Sequence, residues 1–175
     1  CYEVATEKLN FSEEYRRKIV KEGSNDKRRK EELEKLENDL LSRQVESLDT
    51  DYVDDLLQSC LLSRGLERPR METEGRFNRA LREAEAHGSS VQRFNITYNH
   101  AWTSFFWFHD VNAMYADYLK LKEYANMHTT VHTIELMTNI LTNLENAARV
   151  GLFDSERFKK EVQDLKTIKE RKDLS

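Results

Sequence analysis

Three side chains in the C-terminal half have the types and spacing to hold a metal ion: His128, His132 and Glu135. On one helix, positions i, i+4 and i+7 stack on a single face, so two imidazoles and a carboxylate would converge on one divalent cation. A fourth group, His100, His109 or Asp110, would have to come from a neighbouring helix. The same row runs on into Asn139, one step from an apolar stripe, which is also the pattern of a polar rim. The His-Glu-x-x-His pattern of zincins is absent, and so is the paired Glu-x-x-His of di-iron bundles. No glycine-rich phosphate loop is present, and no Ser or Cys stands in a nucleophile motif. No catalytic residue and no cofactor are therefore assigned, and a metal-dependent helical enzyme is the alternative reading.

The richer signal is apolar. Phe94, Tyr98, Trp102, Phe105, Phe106, Trp107 and Phe108 crowd one short stretch that includes both tryptophans. As a helix it is apolar nearly all round and must be covered on several sides, by its own fold or by a partner. Leu33, Leu36, Leu40, Leu41 and Leu48 form a narrow stripe whose other faces are Glu and Lys, a coiled-coil-like pattern.

Composition narrows the class. Of 175 residues 34% are charged, and the net charge of −4 argues against an electrostatic nucleic-acid binder. One proline and five glycines are too few for the turns of a β-sandwich, so long helices are expected. No run of about twenty apolar residues offers a membrane span. The chain opens on Cys1 rather than Met, as a processed product or an excerpt would. Cys60 falls on the apolar face of a helix and is expected as a buried free thiol.

Helices are expected at about Glu13–Lys21, Asp26–Leu48, from Thr50 to Gly65, and through Phe77, Ala80, Leu81 and Ala84 to His87. Val91 to Glu123 reads as one rod of about 50 Å at 1.5 Å per residue. A helix over about Met127–Arg149 and a last one N-capped by Asp154, with Phe153 and Phe158 as its hydrophobic staple, follow. No repeat of fixed period is apparent.

Two local resemblances carry further expectations. His109-Asp110 resembles the metal-binding doublet of HD-domain phosphohydrolases, which implies His87 and Asp154 as the completing ligands; the small residues that flank the doublet in that family are replaced by Phe105–Phe108 and Val111-Asn112. Tyr118 to Glu135 looks like the region before and within the last helix of type I interferons, although Met127-His128-Thr129 replaces that family's Cys-Ala-Trp. That likeness implies a secreted helical-bundle signalling ligand, with the sequon at Asn95 glycosylated.

The expected fold is all-α, an irregular bundle of about six or seven helices with the aromatic helix at its centre. Residues 1–70 form a charged, leucine-striped arm and 71–175 an aromatic-rich bundle, or the two make one domain. The leading expectation is a non-enzymatic helical scaffold, a subunit that binds other proteins or itself. Its anchors would be Leu33, Leu36 and Leu40 with Trp102, Phe106 and Trp107.

Overall fold

Polar residues at the ends of apolar stretches set where the helices start. Asp110 accepts from the Ala113 amide at 2.9 Å, and Asp154 from the Arg157 amide at 2.7 Å. Ser89 with Gln92, and Thr130 with Thr133, form reciprocal capping boxes that occupy otherwise free backbone donors. The computed structural model describes residues 24–43 and 50–173, and all regular structure among them is α-helical. The helices are α1 Ser24–Ser42, α2 Thr50–Gly65, α3 Arg70–His87, α4 Ser90–Phe106, α5 Val111–Met127, α6 Val131–Arg149 and α7 Ser155–Asp173. The expected helix over Glu13–Lys21 lies outside the described residues.

Two helix boundaries differ from expectation, each for a capping reason. The single rod over Val91–Glu123 is two antiparallel helices. The chain turns at Trp107–Asp110, where His109 takes a left-handed φ of 52° and the Asp110 amide bonds the Ser104 carbonyl at 2.8 Å. An aspartate is a poor helix-interior residue and a good N-cap, and here it starts α5. Likewise the helix expected from about Met127 to Arg149 starts later, at Val131. His128 ends α5, and the Thr130 box starts α6 afresh.

Helices adjacent in the chain pack against each other, giving three hairpins, α2/α3, α4/α5 and α6/α7, with α1 laid on α2. The leading helices also touch across hairpins, α2 with α4 and α4 with α6. The molecule is thus a stack of helical hairpins rather than a bundle around one axis.

The first two hairpins bury side chains at the same helical spacing. On the second helix of each hairpin, Thr73, Phe77, Ala80 and Ala84 of α3 match Met114, Tyr118, Leu121 and Ala125 of α5, and all eight are buried. On the leading helices, Leu56, Cys60 and Ser63 of α2 match Thr97, Ala101 and Ser104 of α4, again all buried. What repeats is burial at i, i+4, i+7 and i+11, not chemistry.

Two cores result. One joins Leu40 of α1 with Val53, Leu56, Cys60, Phe77, Ala80 and Ala84, closed by Ile96 of α4. The other runs from Phe94 and Ala101 of α4 through Met114, Tyr118 and Leu121 to Ile140, Leu144, Leu165 and Ile168. A line between residues 70 and 71 would pass inside the α2/α3 hairpin, whose buried residues form one cluster.

Cys60 is fully enclosed, and burial pushes its thiol from an ordinary 9.0 up to about 12. A neutral thiol inside and a thiolate-forming thiol in the unfolded chain mean that the unfolded state holds fewer protons above pH 9. Stability should therefore fall as pH rises from 9 toward 12, by up to about 1.4 kcal/mol per unit. Denaturant titrations of wild type and Cys60→Ala across that window check this: the variant, whatever its loss at pH 7, should show the shallower alkaline slope.

Candidate functional site

The sequence-expected anchors divide between interior and surface. Leu33 and Leu40 are each 3% exposed and Leu36 packs against the α2/α3 core, so these three expected anchors are covered within the chain. The expected arm is a packed helix for a simple reason: an apolar stripe needs only one facing surface, and α2 supplies it. Leu41 of the same stripe is exposed, and Leu48 lies outside the described residues.

Trp102 and Phe106 are brought together. Their rings lie 4.5 Å apart, one turn from each other on α4, with Tyr98 6.0 Å beyond Trp102 and Phe105 edge-on to Phe106 at 4.9 Å. All are partly exposed and form an aromatic ridge. Trp107 leaves this ridge. It ends α4 and lies under the Arg64 guanidinium at 4.8 Å, while Arg70 sits 5.1 Å over Phe108. Arg64 also donates to Thr103 Oγ1 at 3.3 Å, and Arg70 pairs with Asp110 at 2.7 Å. Two arginines from the α2–α3 end thus clamp the α4–α5 turn. The Ala113 amide and Arg70 hold the Asp110 carboxyl below the usual carboxylate range.

His128, His132 and Glu135 do not stack on one helix, because the α5–α6 turn separates His128 from the other two. All three are exposed. Among the described residues no group of three or more His, Cys, Asp or Glu is placed to hold a metal ion. The proposed fourth ligands are engaged elsewhere or isolated. His100 Nδ1 meets Asp117 Oδ2 at 2.6 Å and its ring lies 5.0 Å from Phe77, Asp110 caps α5, and His109 points out from the turn. His87 closes α3 in the open, apart from Asp154 at the start of α7. Asn95 of the sequon sits on α4 between buried neighbours Phe94 and Ile96.

The surface that sequence reading missed is a cleft of about 290 Å³ between α6 and α7. Its floor is Ile134, Leu141, Phe158, Val162 and Leu165, and its rims carry Thr138, Thr142 and Glu145 on α6 and Lys166 and Lys169 on α7. The cleft is the groove between the two helices of the last hairpin. Phe158, Val162 and Leu165 lie as far from the start of α7 as the buried Met114, Tyr118 and Leu121 lie from the start of α5. In the first two hairpins this groove is filled by the hairpin that follows. In the last it is open. The apolar spacing of α6 and α7 was readable as inward-facing, but an open face needs knowledge of what stacks where.

Behind the cleft, Glu161 is 2% exposed and is held by Tyr115 Oη at 2.9 Å and by Lys122, which also reaches Asp164 at 3.0 Å. These bonds tie α7 to α5.

No protein-family model matches the chain, and no curated protein or solved structure is significantly similar to it. No helix among the described residues is long and apolar enough to cross a membrane. The fold class is all-α, and function has to be argued from the surfaces alone.

Proposed function

We propose that this chain is a non-enzymatic helical scaffold, a subunit that holds other proteins in a larger assembly. The observation that supports the reading is the apolar α6/α7 cleft, a groove of the kind the stack fills elsewhere and leaves open at its end. Apolar clefts of this size on a helical face suit an amphipathic helix in the groove. The partly exposed Trp102–Phe106 ridge is a second anchor of the residue types that dominate binding energy.

Affinity purification of the tagged chain from its native source, wild type beside Val162→Glu and Trp102→Ala, tests the reading. The expected result is a stoichiometric complex with wild type that at least one variant loses while keeping its circular dichroism. A lone monomer would overturn the scaffold reading, and one carrying stoichiometric zinc, iron or manganese that disappears with His132→Ala would replace it with the metal-enzyme alternative.

A further inference from the structure

We infer that the α6/α7 cleft binds an amphipathic helix of a protein partner whose α7-facing flank carries carboxylates. The inference rests on the scaffold reading and specifies its partner. Shape comes from precedent within the chain, because a helix fills the matching groove of each preceding hairpin. Ile96 of α4 closes the first core, and Met137, Ile140 and Leu144 of α6 enter the second. An occupant of the third groove therefore needs apolar side chains at i, i+3 and i+7, the spacing Met137, Ile140 and Leu144 exemplify.

Charge comes from the rim of the cleft itself. Lys166 occupies on α7 the position that Lys122 occupies on α5. Lys122 is neutralised by Glu161 and Asp164, two carboxylates brought by the hairpin stacked beyond it. Lys166, with Lys169 one turn on, lines the open groove and has no ion pair among the described residues. Glu145 on the opposite rim is already paired with Arg149 at 2.6 Å. The α7 rim is thus an exposed cationic edge beside an apolar floor, complementary to carboxylates on an occupant. Acidic residues on that side of a bound helix would steer it and fix its direction.

The test uses synthetic helical peptides of about 18 residues, the length of the helices in the stack. Both carry Leu at i, i+4, i+7 and i+11; one has Glu on the α7-facing flank and the other Lys. Fluorescence anisotropy against the full chain should show the Glu peptide binding about tenfold more tightly or better. Lys166→Glu with Lys169→Glu should invert that order, and Val162→Glu, which places a charge in the floor, should abolish both. Equal affinity for the two peptides, or binding indifferent to Val162→Glu, would overturn the inference. So would sedimentation showing a dimer of the chain that Val162→Glu dissolves, since the occupant would then be a second copy. If the native complex persists and depends on Trp102 while the peptides fail to discriminate, this inference falls and the scaffold reading stands.

Discussion

Lys122→Met is expected to destabilise the protein by about 3–5 kcal/mol, because it strands a buried carboxylate rather than because it removes a bond. Glu161 lies 2% exposed between α5 and α7, with the Lys122 ammonium as its counter-charge and the Tyr115 hydroxyl as its other partner. Burial opposes the Lys122 charge, yet the hydrogen bonds it donates to Glu161 and Asp164 outweigh it and raise the ammonium's pKa. That shift stabilises the fold below the ordinary lysine range, and the contribution fades as pH climbs past it. Urea titration measures the loss. The double variant Lys122→Met with Glu161→Leu should recover most of it, since two apolar side chains leave no charge to solvate. Were the double variant as unstable as the single one, the stranded-charge explanation would fail.

Phe77→Ala should cost a similar amount, about 3–5 kcal/mol, through lost burial and the cavity left behind. Phe77 is 0% exposed in the core between α2, α3 and α4, with its ring 5.0 Å from His100. Its neighbours Ala80 and Ala84 are too small to collapse into the space. Against a whole-domain stability of about 5–15 kcal/mol, this is a large share, and the melting temperature should drop by about 10 °C. Met71→Ala on the same helix serves as the reference: at 87% exposure it should change stability by less than about 0.5 kcal/mol.

Several features of the fold were legible because local physics determines them. The scarcity of proline and glycine, the 3.6-residue spacing and Asp154 as an N-cap led directly to an all-α chain with most helices near their observed ranges. The two boundary errors share one cause. Across Trp107–Asp110 and His128–Thr130 the apolar spacing continues, so periodicity alone carries the eye through a turn that a capping side chain enforces.

The site was harder to read. Trp102 and Phe106 do meet on the surface, whereas Leu33 and Leu40 proved to be interior and the His128, His132, Glu135 row lost its helical register. An apolar stripe states that something must cover it, and the sequence does not say whether that cover is the chain's own next helix. For Leu33 and Leu40 it is; for Phe158 and Val162 it is not. The cleft became recognisable only once the hairpins could be laid over one another.

The double duty of α4 has a mechanical consequence. Ile96 belongs to one interior and Phe94 and Ala101 to the other, so this rod is a party wall between two rooms. Neither room can be emptied without stripping a side of the other, and the two should melt as one event despite their separate furnishings. A perturbation on α1 would reach α7 through the rotation or sliding of that single shaft.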